Sequence, residues 1–221
     1  EEGRADLGFD PVIDLDLAFG TAGLDYNQDP PQGIADAVFS PDRIDTAFLD
    51  RLLSKCTDHL SLLAAPATLD KVYDFGAEAF DSIFDTLRTS MPCIVLDVPH
   101  QLSGWTKRAL IAADDILIVA APDLANLRNT KNIFDLLKAS RPNDRAPLYC
   151  LNQVGIPKRP EIPAAEFAKA IENHPIVTIP FEPQIFGSAA NNGQMIAEIA
   201  AAHRTTEMFL QVAQRLTGRG E

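Results

Sequence analysis

The sequence predicts an α/β protein, a three-layer sandwich with a mostly parallel central sheet. Three observations carry that expectation. Short apolar runs alternate from end to end with stretches whose apolar residues recur at helical spacing. The run Ile94-Val95-Leu96 is uninterrupted, which suits a strand covered on both faces in a parallel sheet. Prolines follow the runs at Pro66, Pro122 and Pro180, where a residue without an N–H ends ladder pairing.

In chain order, residues 12–17 read as the first strand and run into the Gly-rich turn Phe19-Gly20-Thr21-Ala22-Gly23. Pro30, Pro31, Gly33 and Pro41 break up residues 26–44, leaving one short helical piece near 34–38. Ala47, Phe48, Leu52 and Leu53 fall at helical spacing within 44–55, and residues 60–65 form the next strand. Val72, Phe75, Ala79, Ile83, Phe84 and Leu87 lie on one stripe of a helix predicted over 69–89. Beyond the central strand come a helix over 103–113, a strand over 115–121 and a helix over 124–139. A strand over 147–152, a helix from Pro163 to residue 172 and a short strand over 176–179 follow. One long helix is predicted from Asn192-Gly193 to about residue 216. No repeat or low-complexity linker interrupts this order, so one domain is expected. The opening, Glu1-Glu2-Gly3-Arg4, reads as the tail of a helix and a linker, and the chain as a fragment.

A chain of 221 residues buries about 70% of its unfolded surface, enough for a core without metal or disulfide. The formal net charge of −12 argues against non-specific DNA binding and against polybasic docking on anionic lipid. Cys56, Cys93 and Cys150 are odd in number and widely spaced; Cys93 and Cys150 sit in apolar runs and read as small core residues of a reduced, cytoplasmic protein. No stretch approaches the ~20 apolar residues of a membrane span. His59, His174 and His203 have no ligand partner at metal spacing, and His100 reads as a solvent-facing loop residue. The last helix has only Arg204, Arg215 and Arg219 for a basic face, so packing on the sheet is expected.

Three stretches are candidates for chemistry. Asp14-Leu-Asp16 places two carboxylates on one face near the end of a strand, a costly arrangement unless a cation or hydrogen-bond donors share it. Asp97 closes the central strand where the chain must turn, at the strand ends where ligands bind in open α/β sheets. Asn152 ends another strand and can both donate to and accept from a purine edge; Ile179-Pro180-Phe181 ends the last one and can line a base pocket. Taken singly, each has a plainer reading: a helix-capping Asp, a turn Asn, an ordinary strand stop.

Together the stretches VIDLDLAFGTAGLD, IVLDVPHQ, ILIVAAPDLANLRNTKNIFDLLK, LYCLNQVG and IPFEPQIFGSAANNGQMIAEIA resemble the MinD/ParA-like group of deviant-Walker P-loop ATPases, from about Val12 to the end. Within it, PDLANLRN, RPNDRAP and FGSAANNGQM are similar to the CpaE/TadZ branch of Flp/Tad pilus assembly and localisation proteins. The resemblance implies a P-loop NTPase fold in which Asp16, with Asp14 beside it, orients the attacking water and Asp97 holds Mg2+. Asn152 faces adenine, Pro180 and Phe181 close the base pocket, and residues 98–102 form a switch segment. It further implies ATP and Mg2+ as cofactors, a homodimer, and a partner in the pilus secretion machinery. The location would be cytoplasmic, at a cell pole near the inner membrane, with neither nucleic acid nor stable membrane insertion. The function is then an ATP-Mg-dependent switch that localises pilus assembly. A nucleotide-independent scaffold of the same fold and a chromosome- or plasmid-partitioning ParA-type ATPase are the alternatives.

One departure bears on activity. No Gly-x-x-x-x-Gly-Lys-Ser/Thr occurs, and Gly104-Trp-Thr-Lys107 is no substitute because it lacks a Gly-rich cradle of backbone N–H groups. Residues 1–221 are therefore expected to be an ATPase domain without its first strand and Walker A loop, binding ATP weakly or not at all on their own. Whether ATP is hydrolysed is left open.

Overall fold

The computed structural model describes residues 10–69 and 71–217; the predicted opening over residues 1–4, Asp70 within the predicted 69–89 helix, and Arg219 lie outside them. The described chain forms two compact units, one of residues 10–108 with 190–195 and one of 109–189 with 196–217. Each is an α/β unit built on its own sheet, where the sequence predicts a single one.

The first unit contains β1 (Asp10–Asp14), α1 (Ala22–Asp25), α2 (Ile34–Val38), α3 (Thr46–Leu52), β2 (Ser54–Lys55), β3 (Leu60–Leu63), α4 (Asp81–Ser90) and β4 (Val95–Asp97). Its strands lie in the order β2-β3-β1-β4; β1 is parallel to both β3 and β4, and β2 is antiparallel to β3. Ile13, Leu62 and Leu63 are fully buried, as are Ile34, Ile83 and, within 1%, Leu49 and Leu87 from the covering helices. On one face Leu62 and Ala64 pack with Ala22 of α1 and with Val12 and Tyr26.

A helix, α5 (Gly104–Ala112), carries the chain out of this unit. The second unit contains β5 (Leu117–Ala120), α6 (Leu124–Ser140), β6 (Leu148–Val154), α7 (Ala164–Ile171), β7 (Thr178–Pro180), the start of α8 (Pro183–Asn192), α9 (Ile196–Ile199) and α10 (Arg204–Thr217). Its three strands are all parallel, in the order β5-β6-β7. Alternation along β6 explains the layering. Tyr149 and Leu151 point to one face, among Phe134 of α6 and Phe167 and Ile171 of α7. Cys150 points to the other, among Val177, Ile179 and Met208 of α10. That is helix on sheet on helix, with the central strand buried on both sides.

Four expectations are corrected. Among the described residues β4 is the edge strand of its sheet rather than a central one, and it is not covered on both faces, since Val95 is half exposed. Cys93, just before it, is exposed rather than part of the core, whereas Cys150 is buried and its thiol is pushed up to about 11. The helix predicted over 69–89 forms only from Asp81; Val72 is 89% exposed, and Phe75 instead joins an aromatic cluster, 5.5 Å from Phe39 and 5.6 Å from Phe80. Phe80 in turn lies 4.6 Å from Trp105 and 5.9 Å from Phe84. Gly76 weakens helix propensity in mid-stripe, and ring-on-ring burial satisfies the same side chains without a helix.

The long terminal helix predicted after Asn192-Gly193 is two helices, α9 and α10, and a separate helix, α8, precedes it. α8 begins at Pro183, ahead of the predicted start, and the chain breaks again at 200–203, where the Thr206 hydroxyl donates to the Ala200 carbonyl and His203 Nδ1 accepts from Thr205 N. Each break offers the backbone a local partner that the helix would otherwise supply.

Phe80→Ala, which empties the centre of the aromatic cluster, should lower unfolding stability by about 3–5 kcal/mol. Val72→Ser should change it by less than about 0.5 kcal/mol, because that side chain touches water rather than core. Urea unfolding midpoints of the two variants test the corrected path of residues 69–80.

Candidate functional site

The acidic centre of the first unit starts with strand register. β1 and β4 run parallel with Val12 opposite Val95, Ile13 opposite Leu96 and Asp14 opposite Asp97, so two carboxylates end neighbouring strands at the same level. The pairing continues one step further, with Leu15 N donating to the Asp97 carbonyl at 2.9 Å. β1 stops at Asp14, and Asp16 lies in the turn beyond it rather than on the strand face that it was expected to share with Asp14.

The two carboxylates have different environments. Asp14 is 1% exposed and accepts from the backbone N–H groups of Asp16 and Ala22, each at 3.1 Å. Gly20 roofs it: a methyl group at that position would lie 2.3 Å from both carboxylate oxygens, so only a bare α-carbon lets the loop close. Asp16 is half-buried; its carboxylate accepts from Phe19 N at 3.0 Å and its carbonyl from Gly20 N at 2.7 Å. Thr21 donates to Asp25 at the far side of the same loop. Asp14 is thus the brace of the loop, and Asp16 is its presented acid.

Burial pushes the Asp14 carboxyl above its ordinary range; the two backbone donors oppose the shift, and Asp97 and Asp16 add to it. Desolvation also raises Asp97, with Asp16 and Asp25 as further causes. No Lys, Arg or His forms an ion pair with Asp14, Asp16, Asp25 or Asp97 among the described residues. No group of three or more His, Cys, Asp or Glu among them is placed to hold a metal ion by side chains alone. A Mg2+ ion keeps most of its shell as water and phosphate and takes one or two protein carboxylates, and Asp97 is the candidate for that place.

Residues 98–102 leave β4 as an open turn with Gln101 N on the Pro99 carbonyl, 2.7 Å, and Leu102 63% exposed. The turn ends in a reciprocal cap that the sequence reading missed: Ser103 N donates to Thr106 Oγ1 at 2.6 Å and Thr106 N to Ser103 Oγ at 3.3 Å. Ser-x-x-Thr before a helix is its sequence signal.

The second unit brings Asn152, Pro180 and Phe181 to the carboxyl ends of β6 and β7. Leu151 pairs with Thr178 and Val154 with Pro180, with a shift of register between them. Asn152 and Gln153 sit in that irregularity; Gln153 has φ 56° and its N–H donates to Asn152 Oδ1 at 2.8 Å. The Asn152 side-chain carbonyl is therefore engaged within the turn. Phe181 N donates to the Val154 carbonyl at 2.8 Å, which anchors the residue while its ring stays 36% exposed. The adjoining turn is wired by a pair the sequence reading missed. Glu161 accepts from Gly155 N and Ile156 N and pairs with Arg159 at 2.9 Å, and Arg159 also donates to the Gln153 carbonyl.

No family model matches the chain. The septum site-determining protein MinD of Synechocystis sp. is 25% identical over 129 residues, 58% of this chain and 48% of that protein, so the chain spans about half the length of the curated relative it matches. Among solved structures, a ParA family ATPase from Chlorobium tepidum superposes with a TM-score of 0.81 at 21% identity, covering 96% of this chain and 88% of that one. The cell division ATPase MinD of Pyrococcus furiosus gives 0.78 at 18%, covering 95% and 86%. The MinD of Pyrococcus horikoshii complexed with Mg-ADP gives 0.77 at 17%, covering 93% and 82%.

Asp14→Ala, which leaves two buried N–H groups without an acceptor, should cost about 1–3 kcal/mol at pH 7. Asp97→Asn should act in the opposite direction. A carboxyl whose folded pKa is raised costs the folded state stability above that pKa, and the cost vanishes as pH falls below the ordinary carboxylate value. The variant's gain in Tm should therefore be present at pH 7 and gone near pH ~3; a thermal melt series across that range reads both signs.

The chain has the α/β fold, mostly parallel strands with surrounding helices, of the MinD and ParA ATPases.

Proposed function

We propose that the protein is a MinD/ParA-like ATPase-family switch that localises pilus assembly of the Flp/Tad type. Two copies would close on ATP-Mg, expose a surface for the secretion machinery, and be reset by slow hydrolysis. Asp16 orients the water, Asp14 holds its loop, Asp97 takes the metal, and Asn152 with Pro180 and Phe181 receives the base. The supporting observation is the pairing of Asp14 and Asp97 at the ends of adjacent parallel strands, with Asp16 beside them and no ion pair to them among the described residues. Carboxylates with raised pKa at the carboxyl ends of parallel strands are the signature of a site that expects a cation from outside.

The 221 residues carry no phosphate-binding loop motif, and on the proposed function that loop comes from a further strand. The unit is equipped for one, since β4 presents an unpaired edge among the described residues and a half-exposed Val95 along it. A Gly-rich turn with a lysine on such a strand would supply the backbone donors and positive charge that this chain lacks.

The missing loop also favours a second reading, a scaffold that keeps the fold and localises by protein contacts without nucleotide. A partitioning ATPase that binds DNA fits less well with a net charge of −12. No helix of the described residues is long and apolar enough to cross a membrane, which suits contact with the machinery by a docked protein rather than a spanning one.

A thermal-shift titration separates the readings. The intact protein, carrying a P-loop strand, should gain about 2.7 kcal/mol at ATP-Mg about 100 times its Kd, a rise in Tm of about 5–11 °C. Asp97→Ala should abolish the gain, and residues 1–221 alone should show none. No gain in the intact protein leaves the scaffold; an undiminished gain in Asp97→Ala overturns the metal assignment.

A further inference from the structure

We infer that Gly193 is a positioning residue for the loop that presents Asp16. The inference rests on the reading of Asp16 as the water-orienting acid and extends it to a distant part of the chain. The loop from Asp14 to Gln28 is wired almost wholly to itself: Asp14 holds the N–H groups of Asp16 and Ala22, Asp25 N donates to the Thr21 carbonyl, Asn27 N to the Leu24 carbonyl, and Gln28 N to the Gly23 carbonyl. Its outer end needs a wall, because Phe19 and Leu24 are 75% and 70% exposed and add little packing.

Gly193 supplies the wall. Residues 190–195, the end of α8 and the three residues after it, belong to the first unit, and the α-carbon of Gly193 lies directly against the loop. A methyl group there would sit 2.8 Å from the Leu24 carbonyl oxygen, 2.9 Å from Asn27 Cβ and 3.2 Å from Asn27 Cα. Two of those atoms are backbone, which cannot swing aside as a side chain would. Asn27 is itself in the left-handed region, with φ 51°, so the contact falls where the loop has the least conformational room.

Helix termination alone also asks for glycine at this position, since Gly193 follows α8 with φ 59°. A second glycine in this chain separates the two demands. Gly155 has φ 85° and nothing within 4 Å of the place where a side chain would go. Gly155→Ala therefore imposes backbone strain without contact, and Gly193→Ala imposes both.

The test is amide hydrogen exchange on residues 1–221, read at Asp16, Phe19 and Ala22, with Tm alongside. Gly193→Ala should speed exchange at those three amides several-fold, whereas Gly155→Ala should lower Tm and leave them unchanged. Asn27→Gly, which opens the contact from the loop side at a φ that glycine accepts, serves where Gly193→Ala does not fold; it should also speed them. The double variant Gly193→Ala with Asn27→Gly should recover part of the protection lost in Gly193→Ala. Exchange at Asp16 and Ala22 in either single variant no faster than in Gly155→Ala overturns the inference. In the intact protein, Gly193→Ala should lower kcat for ATP several-fold with KM unchanged, because Asp16 acts on water and not on the base; an unchanged kcat overturns it too. An intact parent that takes up no ATP-Mg removes the reading of Asp16 instead, and the exchange result still decides whether Gly193 holds the loop.

Discussion

The first unit depends on one buried carboxylate. Asp14 ends β1 with almost no exposure, and it is tolerated because two backbone N–H groups from the following loop converge on it. Burying that charge costs folding energy, so the loop cannot drift without leaving both the carboxylate and its donors unpaired. The Gly-rich composition of the turn follows from this closure. A side chain at 20 would strike the carboxylate, and the chain must pass over it within a few residues of the strand end. The same closure sets Asp16 outside the brace, half-buried, with its Oδ1 accepting from Phe19 N.

Register then does what sequence distance cannot. Asp14 and Asp97 are far apart in the chain, yet they are level because β1 and β4 are parallel and pair residue for residue from Val12 and Val95 onward. A slip of one residue would put them on opposite faces of the sheet. In the second unit the irregularity between Leu151 and Val154 plays a comparable part: it turns Asn152 out of the ladder beside the strand that carries Pro180 and Phe181.

Much of this was legible in the residues. The parallel α/β class followed from strand–helix alternation, and helices 34–38 and 124–139 formed within a residue of their predicted bounds because their apolar spacing meets a real core. Asp97 was legible because an apolar run stops on it. What failed had physical reasons. Phe75 and Val72 mimic a helical stripe, but aromatic rings bury against one another across a loop as readily as along a helix. The edge position of β4 cannot be read from Ile94-Val95-Leu96, since an apolar run reports what the strand is built to touch and not what lies beside it. Gly20 and Gly193 were visible as turn residues, yet their contacts belong to folded neighbours, and a sequence shows glycine's freedom without showing what presses on it.

The distribution of charge ties the site to its chemistry. An acidic protein of net charge −12 has no shortage of carboxylates, and most of them are exposed or paired: Asp81 with Arg108, Asp135 with Lys131, Asp144 with Arg141. Asp97 and Asp25 are exposed too, but with Asp16 they have no ion-pair partner among the described residues, and their mutual repulsion is held in place by strand register and by the brace beneath. Stability alone would favour an amide or a lysine among them. On the proposed function, this repulsion at the rim of a parallel sheet is what a cation would relieve, and a divalent ion carried in by a polyphosphate would neutralise more of it than any single side chain. The same physics would make a phosphate loop and the metal interdependent: without backbone donors to hold the phosphates, the ion would have little besides Asp97, and without the ion the acidic rim would repel the phosphates. On that proposal, binding would be cooperative between a phosphate loop on one strand and the acids at the ends of two others, and neither half would carry it by itself.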